Sequence, residues 1–374
     1  MRIETLAVHA GAEPDDGTRA LSPPIHLSTT FEHPPDSREI DGYLYSRYGN
    51  PTQDRLEGAL TALEGGAACL VYGSGMAAAA AMFTALPRGS HVVLADDTYF
   101  SVRTMARDFG PRWGLEVSVV DASRMDGVRA ALRPSTKCIW LETPSNPHIK
   151  LSDIAAAAEL ARGAGALLVV DGTFATPILQ RPLALGADVV LHSCTKYFGG
   201  HGDVQAGALV LREDGELRGT LLGQRTVLGA VAAPLSSWLV LRGLRTLACR
   251  MEWHCRAAQA VAEFLAGHAA VDRVHYPGLP SHPQHALARA QMTGFGGMLS
   301  FHVGGGRERA LAAAGRLHLF RNATSLGSTE SLVEHRESVE GAGSPTAPDL
   351  LRLSVGLEHP DDLIDDLRQA LDGH

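Results

Sequence analysis

The run Ala68-Cys-Leu-Val-Tyr-Gly-Ser-Gly-Met-Ala-Ala-Ala-Ala-Ala-Met-Phe-Thr-Ala-Leu86 changes character in its middle. Residues 68–72 are short and apolar and predict a buried strand, whereas 75–86 are Ala-rich and predict a buried helix. Gly73 and Gly75 let the chain turn sharply between them. The same alternation recurs outward from this unit. Strands are expected at 91–95, 116–120, 138–142, 167–171, 189–192 and 206–211, with helices at 98–109, 123–132 and 152–162. Ser152 and Asp153 offer an N-terminal cap for the last helix. Strands separated by helical crossovers predict an α/β lobe with a largely parallel sheet of about seven strands.

The pattern changes after residue 211. Long helical stretches occupy about 231–265, strands are expected at 271–276, 298–303 and 351–355, and an amphipathic helix spans 361–371, which together describe a smaller α+β domain. Before residue 60 there is little periodicity, and Pro23, Pro24, Pro34, Pro35 and Pro51 predict an extended arm that rests on another subunit. The expected division is an arm at 1–58, a ligand-binding α/β domain at 59–240 and the α+β domain at 241–374.

Composition narrows the function. The 374 residues are 45% hydrophobic and 20% charged, with a formal charge of -8, and lack any cluster of Lys and Arg, which argues against nucleic acid or an anionic membrane as partner. No stretch supplies the roughly 20 strongly apolar residues of a membrane span. Residues 1–20 carry charges where a secretory signal needs an apolar core, so a cytoplasmic protein is expected. Five cysteines without CxxC or metal-ligand spacing fit reduced thiols, and no structural metal is expected.

The Gly-rich turn at 73–75 is also where chemistry is expected. Free backbone amides opening the following helix suit a phosphate. Gly73-x-Gly75-x-x-Ala78 also matches a dinucleotide fingerprint, with Asp96 and Asp97 about 20 residues on. Two later segments weigh against the dinucleotide: Leu168-Val-Val-Asp-Gly-Thr-Phe-Ala175 ends a strand with an acid, and His192-Ser-Cys-Thr-Lys-Tyr-Phe-Gly-Gly-His-Gly-Asp203 follows a strand with a lysine. A nicotinamide-dependent dehydrogenase leaves Lys196 and Asp171 without roles. Pyridoxal phosphate needs both: a lysine to capture its aldehyde, and an acid beside its pyridine nitrogen to keep that nitrogen protonated.

With these residues in view, the sequence resembles the Cys/Met-metabolism family of pyridoxal-phosphate (PLP) enzymes, the transsulfuration group. The likeness runs through Tyr45-Ser-Arg-Tyr-Gly-Asn-Pro-Thr52, Gly73-Ser-Gly-Met-Ala-Ala78, Asp96-Asp-Thr-Tyr99, Glu142-Thr-Pro-Ser-Asn-Pro147, Asp171-Gly-Thr-Phe-Ala-Thr-Pro177, the Lys196 segment, Ser325-Leu-Gly327 and Leu351-Arg-Leu-Ser-Val-Gly-Leu-Glu358. It implies the aspartate aminotransferase-like fold (fold type I) and PLP as cofactor. In site residues it implies that Lys196 binds the cofactor, Asp171 pairs with its ring nitrogen and Tyr99 stacks on the ring, with Lys196 and Tyr99 as the catalytic residues. Ser193, Thr195, Thr173 and the Gly75 and Met76 amides would complete the cofactor site. Tyr45 and Arg47 would reach the neighbouring subunit's phosphate, which implies a homo-oligomer, a homotetramer built as a dimer of dimers. Arg352 would hold the substrate α-carboxylate, with Ser325, Asn146 and Thr324 nearby.

The implied reaction is γ-elimination or γ-replacement on a γ-substituted L-amino acid, as in cystathionine γ-lyase. Cystathionine γ-synthase, O-acylhomoserine sulfhydrylase and a methionine or canavanine γ-lyase are the alternatives. Leu44, Thr104 and Thr324 stand where cystathionine-cleaving members carry charge, Phe100 follows Tyr99 where Gly is usual, and residues 334–341 replace the family's usual Met-Thr-His loop. These departures predict a reshaped mouth and favour a neutral or unusual γ-substituent, unless neighbours such as Arg103 compensate.

Overall fold

A computed structural model describes residues 1–35, 42–341 and 344–373; residues 36–41 of the expected arm lie outside the described residues. The first sheet holds β1 (Ala68–Tyr72), β2 (His91–Ala95), β3 (Glu116–Val120), β4 (Thr136–Glu142), β5 (Leu167–Asp171), β6 (Val189–His192) and β7 (Gly207–Leu211), in the order β1-β7-β6-β5-β4-β2-β3. Strands β3, β2, β4, β5 and β6 pair in parallel, and β7 lies antiparallel to both β6 and β1. All seven expected strands are present, with ends within two residues of the sequence reading.

The inner strands read as continuous apolar runs because both faces are covered: β2, β6 and β7 are buried throughout, as is edge strand β1, whereas the opposite edge strand β3 is largely open. Helix Ile154–Ala164 starts two residues later than expected but behind one of the two expected caps, the Asp153 carboxylate accepting from the Ala156 amide at 3.0 Å. Helix Phe100–Asp108 starts two residues later than expected, with Tyr99 as its N-cap.

A second sheet, in the order β10-β11-β12-β9-β8, contains β8 (Val271–His275), β9 (Met298–Val303), β10 (Arg321–Asn322), β11 (Leu332–His335) and β12 (Leu350–Ser354). It packs on helix Leu247–Ala266 and on helix Pro360–Asp372, whose Leu363, Leu367 and Leu371 are buried in one apolar cluster. Strands β10 and β11 were not expected from the sequence. Helix Pro234–Leu244 runs through residue 240, where the boundary between the two larger units was expected.

The first fifty residues depart from a wholly extended arm. Helix Ile3–His9 packs on helix Leu247–Ala266, with Ala7 only 2% exposed in the main core. Helix Pro51–Glu64 follows, with the Asn50 side chain accepting from the Thr52 amide at 2.9 Å and Pro51 at the first helical position. Among the described residues, no helix is long and apolar enough to cross a membrane.

Candidate active site

Parallel strands that share a direction end at one edge, and ligands of α/β sheets bind beyond those ends. Strand β5 ends in Asp171 beside Glu142 of β4, the two being paired in register, and Ser193 follows β6 on the other side. Strand β1 leads through Gly73 and Ser74 into helix Gly75–Ala85, and β2 leads to Tyr99. Arg352 of β12 and, from the connection between β10 and β11, Thr324 and Ser325 complete the lining. A cavity of about 200 Å³ results. Its lining brings together twelve of the fourteen expected site residues: Lys196, Asp171, Tyr99, Gly75, Met76, Ser193, Thr195, Thr173, Arg352, Ser325, Asn146 and Thr324.

The Lys196 amine donates to the Ser325 hydroxyl at 2.7 Å. Burial, and after it the nearby Arg352 guanidinium, lowers its pKa to about 8, so an appreciable fraction is the neutral, proton-accepting amine near neutrality. Ser325 itself has φ of 121°, a conformation uncommon outside glycine, which turns both its hydroxyl and its carbonyl to use. That carbonyl accepts from Arg352 Nη2 at 3.0 Å, while Arg352 Nη1 donates to Asn146 Oδ1 at 3.0 Å.

On the floor, Asp171 Oδ1 accepts from the Thr173 amide at 2.9 Å, and the Thr173 hydroxyl accepts from the Ser193 amide at 2.9 Å. Burial pushes the Asp171 carboxyl above its ordinary range despite the Thr173 hydrogen bonds. Glu142 is pushed well above its range, by burial first and then by Asp171. Glu142 Oε2 accepts from the Tyr99 amide at 2.7 Å and so fixes the start of the Tyr99 helix. Asp171 makes no ion pair among the described residues. A buried carboxyl without a cation is costly to ionise, and a protonated ring nitrogen against it supplies the missing charge.

The phosphate end fits as well. Ser74 caps the helix, accepting from the Ala77 amide at 3.0 Å, which leaves the Gly75 and Met76 amides without intrahelical acceptors. A Cβ on Gly75 would lie 3.0 Å from Ser193 Cβ and fill the cradle. The Thr195 hydroxyl donates to the Ala206 carbonyl and accepts from the Ala206 amide, both at 3.2 Å, so its geometry is tied to the residue that precedes β7. These residues fit PLP by the chemistry of their donors and by the uncompensated acid.

Tyr45 and Arg47 do not line this cavity. Arg47 donates to the Thr226 carbonyl at 3.0 Å and sits over the rings of Tyr45 and Tyr48, and Tyr45 is 41% exposed. The cavity also contains residues the sequence reading gave no site role, chiefly Glu142, Gln205 and Arg336. Phe100 meets Tyr99 edge-on, with ring centroids 4.9 Å apart, and the Arg336 guanidinium lies over the Phe100 ring, 5.6 Å from its centroid. Glu142 closes its strand in a quoted motif and was legible there; Arg336 was signalled only by the unusual loop.

The pattern of the family described as Cys/Met metabolism PLP-dependent enzyme matches residues 4–372. The chain belongs to this family of PLP-dependent enzymes. It is 46% identical over 373 residues to the cystathionine gamma-synthase of Mycobacterium tuberculosis strain H37Rv, covering 98% of this chain and 96% of that protein. It is 43% identical over 380 residues to the cystathionine gamma-lyase of Bacillus subtilis strain 168, covering both completely. The crystal structure of metB from Corynebacterium glutamicum superposes with a TM-score of 0.97 at 43% identity, covering 100% of this chain and 98% of that one. The fold is thus that of the PLP-dependent transsulfuration enzymes, and the dehydrogenase alternative falls away.

Proposed function

We propose that this protein carries out γ-elimination, or γ-replacement by a thiol, on a γ-substituted L-amino acid, in the manner of a cystathionine γ-lyase. One observation carries the reading: a lysine amine of lowered basicity, a buried uncompensated acid and a buried arginine line the same cavity. PLP, when bound, supplies an electron sink for negative charge formed next to the substrate amine. Lys196 holds the cofactor and, once freed, takes the Cα proton and moves protons to and from Cβ; Ser325 orients its Nζ by the 2.7 Å hydrogen bond. Arg352, aimed by Asn146, binds the α-carboxylate through its planar donors. Asp171 would pair with the ring nitrogen, Tyr99 would stack on the ring, and Ser193, Thr195, Thr173 and the Gly75 and Met76 amides would serve the phosphate end and its support.

The segment before residue 59 brings Tyr45 and Arg47 to a neighbouring subunit's phosphate in a homotetramer, with 59–240 as the cofactor-binding unit and 241–374 as the smaller one, helices Pro51–Glu64 and Pro234–Leu244 running across the two bounds. Both residues lie outside this chain's own cavity, and Tyr45 is exposed, as such a reach requires. The buried thiols of Cys69, Cys138 and Cys194, their pKa values raised by burial, accord with a reducing, cytoplasmic setting.

Replacement is the second reading, favoured by the similarity to a protein named cystathionine gamma-synthase. The test is product formation from L-cystathionine, L-methionine, O-acetyl-L-homoserine and canavanine under one set of conditions, with and without added cysteine. Release of a 2-oxo acid or deaminated product without thiol supports elimination, and turnover only with thiol supports replacement. No turnover of any of them refutes the proposal.

A further inference from the structure

Glu334 on β11 and Arg352 on β12 are cross-strand partners, so their side chains share one face of the second sheet. Arg336 opens the short helix Arg336–Glu340 that follows β11 and reaches back to the same place. Glu334 Oε2 meets Arg352 Nη2 at 2.7 Å and Arg336 Nη1 at 2.6 Å. All three side chains are buried, and three of their polar atoms have no partner: Glu334 Oε1, Arg336 Nε and Arg352 Nε. One carboxylate oxygen therefore serves two guanidinium groups, while the other oxygen and one donor on each arginine are unused.

That arrangement obstructs a second carboxylate. Arg352 Nη2 carries two hydrogens, and the Ser325 carbonyl and Glu334 are the acceptors around it. An α-carboxylate that takes the Nε–Nη2 edge of Arg352 in the bidentate way must displace one of them. The carbonyl is fixed in the backbone, whereas the glutamate is a side chain. The glutamate can release Arg352 and keep its Oε2 contact with Arg336 Nη1, so that Arg336 alone then carries its charge.

We propose that Arg336 is a positioning residue for substrate binding, which takes over Glu334 when the α-carboxylate of the incoming amino acid displaces it from Arg352. The inference rests on the reading of Arg352 as the carboxylate clamp. Arg336 suits the task because it is held independently of Glu334. Its Nη2 meets Glu340 Oε1 at 3.1 Å, and its guanidinium lies 5.6 Å from the Phe100 ring centroid. Glu340 is anchored in turn by the Ser344 hydroxyl at 2.7 Å, the Thr346 hydroxyl at 3.3 Å and Arg103 at 3.5 Å. Burial pushes the Glu334 carboxyl up, but Arg352, Arg336 and the Thr324 hydroxyl together more than offset it, so it stays an anion whose charge must always have a partner. Without Arg336, substrate binding would leave that anion buried beside a second carboxylate.

The test is the equilibrium dissociation constant of the holoenzyme for L-norvaline, an amino acid without a γ leaving group, beside KM and kcat for a turned-over substrate. Arg336→Met should raise the norvaline Kd about tenfold or more, with KM rising alongside and kcat changing far less. In the Glu334→Gln background, where no charge needs a new partner, adding Arg336→Met should change Kd by less than about threefold. An unchanged Kd in Arg336→Met, or an equal loss in the Glu334→Gln background, overturns the proposal. Thermal melting and retained yellow colour report folding. If Arg336→Met alone does not fold, Glu334→Gln against Glu334→Gln/Arg336→Met, with Arg336→Lys against the parent, makes the same comparison, and Arg336→Lys should fall between parent and complete loss. Arg352→Lys is measured in parallel: an unaffected norvaline Kd there would refute the clamp itself, a different result from failure at Arg336.

Discussion

Replacing Asp171 by Asn removes one charge from the cavity floor and little else. Asp171 Oδ1 accepts from the Thr173 amide at 2.9 Å, and an amide oxygen can keep that bond, so the change is close to isosteric. What disappears is the anion to which the proposal gives the task of keeping the cofactor ring nitrogen protonated. A directly opposed carboxylate shifts such a group by about 1 to 3 pKa units, or about 1.4 to 4 kcal/mol. If ring protonation governs the chemical step, kcat should fall by about 10- to 1,000-fold. Glu142 cannot stand in for the lost charge, because its Oε2 is engaged with the Tyr99 amide and its own carboxyl is held well above the usual range, by burial first. The assay is product release at saturating substrate and cofactor, with absorbance reporting cofactor occupancy. Full occupancy with kcat within about twofold of the parent would refute the role given to Asp171.

Two further outcomes follow from the same cavity. The Lys196 pKa of about 8 means that the fraction of neutral amine rises as pH climbs through that value, so cofactor capture by the apoenzyme should accelerate with pH up to about 8 and then level off; stopped-flow development of the yellow colour reads this, and a rate still climbing in proportion to hydroxide well beyond that pH contradicts it. Gly75→Ala should weaken cofactor binding at least about tenfold, because the new methyl would press on Ser193 at 3.0 Å; an unchanged cofactor Kd by fluorescence titration would show that the cradle is not there.

Much of the first sheet was legible because its strands are apolar runs punctuated by turns, and its ligand edge followed from where Asp171 and Ser193 fall. The antiparallel insertion of β7 was not legible, since residues 207–211 carry the same apolar pattern whichever way the strand runs. Helix Ile3–His9 was hidden by length: only Ile3, Leu6, Ala7 and Ala10 mark its buried side, among charged neighbours. Strands β10 and β11 are too short and too mixed in polarity to announce themselves. Which residues line the cavity could be read largely from motif order. The Glu334–Arg336–Glu340 chain could not, because it depends on a cross-strand pairing and a helical i,i+4 contact that bring three charges together under the second sheet.

The most direct measurement is the absorbance and turnover of Lys196→Ala beside the parent protein, each saturated with PLP and then exhaustively dialysed. The account predicts that the parent stays yellow and active while the variant loses both. A variant that keeps the colour through dialysis and continues to release product would contradict the assignment of Lys196, and with it the reaction proposed for this cavity.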